Sequence, residues 1–139
     1  DPYLQPIWDA FRSQMSEGDL KARRERRVIE IAPLAFMRGR TLSHAIVILD
    51  EAQNCTPVQL KMFLTRLGDE SKMIVTGDPT QVDLPAGKDS GLLEAIGILE
   101  GLEEIDHIAF TRADVVRREL VGHIVDAYEA AERRGKRHG

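Results

Sequence analysis

Two adjacent carboxylates follow an abrupt change from apolar to polar residues, and they are the side chains in this sequence best suited to chemistry. The apolar run IVIL at positions 46–49 ends directly on Asp50 and Glu51. A carboxylate oxygen is a preferred ligand of Mg²⁺, often through water, and a glutamate can accept a proton from an attacking water. Asp50 is therefore a candidate metal ligand and Glu51 a candidate general base. Acidic residues also begin ordinary loops, so the pair alone leaves both interpretations open.

A second polar segment follows the next apolar run. KMIV at 72–75 leads into TGDPTQVDLP at 76–85. The carboxyl ends of parallel strands meet at one edge of a sheet, which is where ligands bind in open α/β folds. Gln81 is a candidate to hydrogen-bond the attacking water or a terminal phosphate. Asp78 is a candidate to hold the loop or waters outside the coordination shell of the metal. Together the two segments supply candidates for the metal ligand, the general base and the phosphate-sensing group of nucleotide hydrolysis.

Periodicity places these segments on a layered α/β fold. The runs at 46–49 and 72–76 do not alternate between apolar and polar, which predicts strands buried on both faces of a parallel sheet. Thr56 and Pro57 predict a helix start, Gly68 its end, and Ser90 a cap for a later helix. Because strands alternate with helices, we expect one parallel α/β layer structure. The further predicted strands are 28–32 and 107–110, and the predicted helices are 4–15, 20–27, 57–67, 92–99 and 113–133.

Length and composition indicate an ordinary globular domain. The chain has 139 residues, of which 42% are hydrophobic and 30% charged, and this length is short for a complete nucleotide-binding α/β unit. No apolar run approaches the roughly 20 residues of a membrane span, and no signal peptide opens the chain, so we expect a cytoplasmic protein without membrane contact. The single Cys55 excludes an internal disulfide and makes no zinc pattern. It is interpreted as a small loop residue, with a reactive thiol as the alternative.

Charge is distributed unevenly along the chain. The net charge is -4, yet the first 40 residues are rich in arginine and the tail from Arg133 is basic again. Such clusters bind RNA or DNA, although most basic helix faces are simply solvated. The chain also begins at Asp1 without a methionine, so we expect it to be part of a longer protein.

Five segments in order resemble one known family. They are ILDEAQN, MFLTRLG, VTGDPTQVDLP, GKDSGL and DVVRRELVGHIVDAYE, and the resemblance runs from about residue 28 to residue 129. The sequence resembles the PhoH family, the PhoH-like or phosphate-starvation-inducible ATPases, which is similar to the ATPase core of superfamily 1 helicases. By this resemblance DEAQ is the Walker B motif and GDPTQ the motif that senses the terminal phosphate. The implied fold is the parallel-sheet P-loop NTPase core.

The resemblance also implies ligands and residue roles. ATP and Mg²⁺ are the expected cofactors, with hydrolysis coupled to RNA metabolism, RNA as a partner and helicase-like activity as an extension. Oligomerisation into a ring, possibly a hexamer, is expected because a single-core chain needs a neighbour's arginine to complete its site. Arg117 is the first candidate for this arginine, followed by Arg38 and Arg40. For all three, packing against acidic neighbours is the alternative. The expected catalytic residues are Glu51, Gln81 and Arg117, the cofactor-binding residues Gln53, Thr76, Gly77, Asp78, Arg38 and Arg40, and the metal ligand Asp50.

Two departures from the family pattern matter. No GxxxxGK[ST] occurs in these residues, and Lys88 follows the sensing loop instead of joining a first strand to a helix. We therefore expect ATP hydrolysis in an intact protein that supplies a P-loop, and an inactive chain on its own. After DVVR the family commonly has His-Pro, where this chain has Arg118 and Glu119. The alternative function is a non-catalytic RNA-binding or assembly module on a degenerate ATPase scaffold.

The predicted organisation is a single domain, residues 1–139. It comprises a helical lead-in at 1–27, a core with the Walker B and sensing motifs at 28–129, and a basic tail at 130–139. Strands 28–32, 46–50 and 72–76 are expected to form a parallel trio with 46–50 in the middle. Strand 107–110 is expected one strand away, across the gap that a P-loop strand fills. An open central edge would make this chain alone poorly stable or prone to associate.

Overall fold

The computed structural model describes residues 4–136. These residues form two compact units, with the boundary between residues 100 and 101. The first unit holds four α-helices and two strands, and the second holds one α-helix. No α-helix in the described range is long and apolar enough to cross a membrane. The elements are α1 (Gln5–Gln14), α2 (Glu17–Glu25), β1 (Ile46–Leu49), α3 (Pro57–Leu64), β2 (Lys72–Val75), α4 (Leu92–Leu99) and α5 (Glu119–Lys136).

The sheet consists of β1 and β2, which pair in parallel. Ile46 lies opposite Lys72 and Leu49 opposite Val75. Parallel neighbours need a crossover connection, and α3 lies between the two strands in sequence. The prediction of an α/β structure with a parallel sheet is therefore confirmed, while the complete P-loop NTPase core stays a prediction.

Helix α3 begins where its capping residues predict. The Thr56 hydroxyl accepts from the Gln59 N–H while the Gln59 side chain accepts from the Thr56 N–H, a complete capping box, and Pro57 takes the first helical position. The helix ends at Leu64 instead of residue 67. The reason is that Leu67 forms a parallel bridge with Leu42, which draws the chain back to the sheet.

The predicted strand at 28–32 is wrong. Helix α2 ends in a hydrogen-bonded motif that uses the backbone N–H of Val28, the first residue of that segment. Arg27 adopts a left-handed conformation with φ 56°. The Arg27 N–H donates to Arg24 O at 3.0 Å and the Val28 N–H to Arg23 O at 2.8 Å, the pair of bonds that defines a Schellman motif. Glycine normally marks this motif, and an arginine in its place gives no sequence signal.

The predicted strand at 107–110 is also wrong. Within the described residues this segment pairs with no strand, and Ile108 and Phe110 are 76% and 84% exposed. Helix α5 starts at Glu119, later than predicted, since Thr111 and Asp114 close a separate 3₁₀ turn with their own capping box. The predicted three-strand order and the gap beside it are therefore not seen in the described chain, whose sheet has two strands.

Only one face of the sheet is covered. Ile46 and Ile48 are 73% and 53% exposed, whereas Val47 and Leu49 on the opposite face are half-buried. The prediction that both faces are buried is wrong here, because the described elements of the first unit cover only the second face. The buried apolar residues are Leu20, Met37, Ala52, Cys55, Leu60, Phe63 and Leu92.

Candidate functional site

Two loops leave the carboxyl ends of the sheet side by side. We call residues 50–55 the β1 loop and residues 76–83 the β2 loop. The Thr76 N–H donates to Leu49 O at 2.9 Å, and the Ala52 N–H donates to Thr76 O at 2.9 Å. These bonds continue the pairing of the strands into the loops, so the polar side chains of both loops share one edge.

One carboxylate oxygen of Asp50 accepts hydrogen bonds from the described residues and the other does not. Its Oδ1 accepts from the Thr76 hydroxyl at 2.8 Å and from the Glu51 N–H at 3.0 Å. Its Oδ2 has no hydrogen-bond donor among the described residues. Thr76 thus fixes the orientation of Asp50, and Oδ2 is the atom available to a metal ion or a metal-bound water.

The Asp50 carboxylate is compatible with the predicted Mg²⁺, which stays a prediction. The described residues contain no group of three or more His, Cys, Asp or Glu side chains that could hold an ion. Mg²⁺ usually keeps several waters and takes only one or two protein carboxylates, together with substrate phosphates. A single oriented aspartate meets that requirement.

Glu51 occupies an unusual backbone conformation. Its φ of 55° and ψ of 39° are left-handed, and it precedes a 3₁₀ turn at Ala52–Asn54. Such a conformation in a residue other than glycine costs on the order of 1–3 kcal/mol and is frequent at functional sites. Its side chain is exposed, and its Oε2 accepts a hydrogen bond from Gln53 Nε2. Glu51 is therefore accessible and oriented, as a general base requires.

Gln53 lies beneath the site and is fully buried, with 0% exposure. Its Oε1 accepts from the Asp78 N–H at 3.0 Å, and its Nε2 donates to Glu51 and, at 3.5 Å, to the carbonyl of Gln81. Both ends of the Gln53 amide are thus used by Glu51 and the β2 loop. A direct contact with a nucleotide stays a prediction.

Asp78 shapes the turn that carries Gln81. Its Oδ1 accepts from the Thr80 hydroxyl at 2.7 Å and from the Thr80 N–H at 2.9 Å, and these two bonds lower the pKa of Asp78. The Gln81 N–H donates to Asp78 O at 3.0 Å and closes the turn. The Gln81 side chain is exposed and has no partner among the described residues. It is free to contact a ligand at this edge.

Gly77 allows the two loops to approach closely. A Cβ at this position would lie 2.8 Å from Gln53 Oε1 and 2.9 Å from Leu92 Cδ2. Both distances are shorter than van der Waals contact, so no side chain fits here without displacing Gln53 or Leu92. The role of Gly77 in the structure is close packing, beside its predicted role near the cofactor.

Asn54 was missed by the sequence reasoning. Its Oδ1 accepts from the Asp83 N–H at 2.7 Å and so ties the far end of the β2 loop to the β1 loop. The only signal was its position next to Gln53 in DEAQN. Its partner lies 29 residues away, which no local pattern reveals.

Among the described residues of the first unit, neither Arg38 nor Arg40 bonds to Asp50 or Glu51. Arg40 donates to both oxygens of Glu30 at 2.9 and 3.3 Å; this pairing raises the pKa of Arg40 and lowers that of Glu30. Arg38 is exposed on the same segment. Arg117 belongs to the second unit, where it is exposed just before α5. Action between subunits stays a prediction for all three.

Cys55 closes the β1 loop as a buried residue. It is 6% exposed, and burial raises the pKa of its thiol. Its carbonyl accepts from the Gly91 N–H at 2.7 Å, which places the start of α4 against the start of α3. These properties support the interpretation of Cys55 as a packed loop residue.

Comparison with known proteins gives a consistent result. The family model described as PhoH-like protein matches residues 1–129. The chain is 55% identical over 129 residues to a PhoH-like protein of Bacillus subtilis, covering 93% of this chain and 40% of that protein. It is 53% identical over 135 residues to a PhoH-like protein of Mycobacterium tuberculosis, covering 97% of this chain and 38% of that protein. Protein PhoH of Escherichia coli is 45% identical over 129 residues, covering 91% of this chain and 36% of that protein.

Proposed function

The chain belongs to the PhoH-like protein family, and we propose that it contributes the carboxylate residues of a Mg²⁺-dependent ATP hydrolysis site. The observation that supports this proposal is the meeting of Asp50, Glu51 and Gln81 at the carboxyl edge of β1 and β2. The chain spans 40% or less of the relatives named above, so the activity is assigned to the intact gene product.

The three side chains divide the work. Asp50 Oδ2 would hold Mg²⁺ directly or through a water, and the ion would neutralise charge on the phosphates. Glu51 accepts the proton of the attacking water, and Gln81 orients that water or the terminal phosphate. The proposal also requires a phosphate-binding loop, which none of the 139 residues supplies.

The test separates hydrolysis from binding in the intact gene product. Glu51→Gln keeps the shape of the side chain and removes the base, so we expect hydrolysis to fall by a factor of about 10²–10⁴ with ATP binding retained. Asp50→Asn is expected to weaken the Mg²⁺ dependence of ATP binding instead. Hydrolysis is measured by phosphate release and binding by titration with a fluorescent ATP analogue.

Glu70 provides a matched control. It is also an exposed glutamate with a left-handed backbone, φ 54°, but it lies just before β2, at the opposite end of the sheet. Glu70→Gln is expected to leave hydrolysis unchanged. Near-normal turnover in Glu51→Gln would remove Glu51 from the role of base, and absence of hydrolysis in the wild type would remove the proposal.

A second candidate function has one specific observation in its favour. Arg23, Arg24 and Arg26 at the end of α2 are exposed and form no salt bridge among the described residues. Arg24 also stacks over the ring of Trp8, 4.5 Å from its centroid. Exposed arginines beside an aromatic ring are typical of RNA-binding surfaces. This supports RNA as a partner, whether the chain works as an ATPase or as a non-catalytic module.

RNA binding is tested by charge reversal on α2. Arg23→Glu with Arg26→Glu is expected to weaken binding of single-stranded RNA and to reduce its salt dependence, because fewer phosphates are neutralised. Lys21→Glu is the control, since Lys21 already pairs with Glu25. RNA affinity that is unchanged by the double reversal would exclude this surface. RNA binding with no ATP hydrolysis in the wild type would favour the non-catalytic module.

A further inference from the structure

One side chain beneath the site connects the two groups that act on water. Gln53 contacts Glu51 through Nε2 and the β2 loop through both ends of its amide. The described structure gives this residue no exposed surface and leaves none of its buried polar atoms without a partner. Gln53 is therefore placed to act on the site through its neighbours.

The chemistry of the amide fixes its direction. The oxygen of a glutamine accepts hydrogen bonds and its NH₂ group donates them. Here the oxygen faces the Asp78 N–H, a donor, and the NH₂ group faces the Glu51 carboxylate and the Gln81 carbonyl, both acceptors. A flipped amide would oppose donor to donor and acceptor to acceptor. The planar group therefore acts as a rigid connection with one orientation.

Surrounding contacts leave Gln53 little freedom to move alone. Gly77 presses against Gln53, and a Cβ there would lie 3.1 Å from the Gln53 N atom as well as 2.8 Å from its Oε1. On the other side, the Ala52 N–H is bonded to Thr76 O. A shift of the turn that carries Gln81 must therefore displace the Gln53 amide, and with it the hydrogen bond to Glu51.

We propose that Gln53 is a positioning residue that couples the Glu51 carboxylate to the position of the β2 loop. Contact of Gln81 with a terminal phosphate shifts the β2 loop, and the Gln53 amide transmits this shift to Glu51. The position of the general base then depends on the position of the loop that contacts the phosphate. This inference rests on the proposed ATP hydrolysis and adds a regulatory device to the same site.

The primary test is Gln53→Met in the intact gene product. Methionine has a similar volume and length, but it removes both hydrogen-bonding ends. We expect kcat to fall by about 10- to 100-fold, the range seen when a partner that orients an active group is lost. KM for ATP is expected to stay within about twofold, because the affected interaction acts on the transition state. Gln14→Met makes the same change at an exposed position of α1 and serves as the control.

A double-mutant cycle tests the coupling itself. Gln81→Ala is expected to slow hydrolysis strongly in the wild type and much less in the Gln53→Met background, because the signal from Gln81 no longer reaches Glu51. A merely structural role for Gln53 predicts that the two effects multiply. If Gln53→Met does not fold, as judged by its thermal unfolding, Gln53→Leu replaces it under the same criteria. That variant also lacks both hydrogen-bonding ends, and it buries no charge.

The outcomes separate the two proposals. An inactive wild type overturns the proposed function. An active wild type with a Gln53 variant within about twofold of its kcat overturns the coupling alone, as do multiplicative effects in the cycle. Loss of kcat with an unchanged KM and non-multiplicative effects supports the coupling.

Discussion

The Thr76 hydroxyl donates a 2.8 Å hydrogen bond to Asp50 Oδ1, across a sequence separation of 26 residues. Because a second donor, the Glu51 N–H, uses the same oxygen, the carboxylate is fixed with Oδ2 open. The end of β2 thus determines which atom of Asp50 can receive a metal.

Thr76→Val is expected to weaken the response to Mg²⁺. Valine keeps the shape of threonine and removes the donor, so the Asp50 carboxylate loses its fixed orientation. Loss of such an outer partner typically reduces metal affinity by about 10- to 100-fold. The Mg²⁺ concentration that gives half-maximal hydrolysis measures the effect. Thr76→Ser keeps the hydroxyl and is the control; an equal loss in both variants would contradict this role.

Gly77→Ala is expected to destabilise the fold, by about 1–3 kcal/mol, because the added methyl overpacks the contact with Gln53 and Leu92. Gly97 in α4 is the matched control, since a Cβ there meets no atom within 4 Å. Alanine at position 97 should stabilise the helix by roughly 0.5–1 kcal/mol. Urea denaturation of both variants gives the two free energies of unfolding. Destabilisation of similar size in both variants would show that the close contact at Gly77 is not its cause.

The hydrogen bonds from Thr80 predict a specific pH dependence. They lower the folded pKa of Asp78, so their contribution to stability is present above the ordinary aspartate pKa of about 3.9 and is lost as pH falls through the lowered value. Thr80→Val removes the hydroxyl donor and should raise the titration midpoint of the Asp78 carboxyl, followed by NMR. Thr65→Val is the control, because the Thr65 hydroxyl donates to backbone carbonyls of α3. An unchanged titration midpoint of Asp78 would show that the Thr80 hydroxyl does not lower the pKa of this carboxyl.

Arg117 is predicted to act on a neighbouring subunit. A donated arginine stabilises charge in the transition state and is worth about 10³–10⁵ in rate. Arg117→Ala and Glu51→Gln subunits should each be inactive alone and should recover activity when mixed, because some interfaces then combine an intact base with an intact arginine. Arg118→Ala is the neighbouring control. Mixed assemblies without recovered hydrolysis would exclude donation between subunits.

Local signals predicted the parts of the fold that local interactions determine. The strands β1 and β2 were found from their apolar runs, and the start of α3 from Thr56 and Pro57. The segment at 28–32 was misassigned because the end of α2 depends on a left-handed Arg27, which carries no sequence mark. The face of the sheet bearing Ile46 was misassigned because burial depends on what covers a strand, and an apolar side chain does not show whether a cover is present.

The site was predictable where it follows from strand ends. Asp50 and the Gln81 turn follow β1 and β2, and the parallel pairing that brings them together was expected. The hydrogen bonds that hold the two loops together were not predictable, because Gln53 and Asn54 bond to partners 25 and 29 residues away. Such contacts follow from the register of the two strands. Register is a property of the paired sheet, and neither segment alone reveals it.

The left-handed backbone of Glu51 has a consequence for engineering and evolution. Glycine adopts this conformation without strain, so Glu51→Gly should relieve a penalty on the order of 1–3 kcal/mol while it removes the proposed base. A screen that rewards only heat resistance would then favour inactive molecules at this position. Retention of glutamate under such a screen requires a simultaneous selection for turnover.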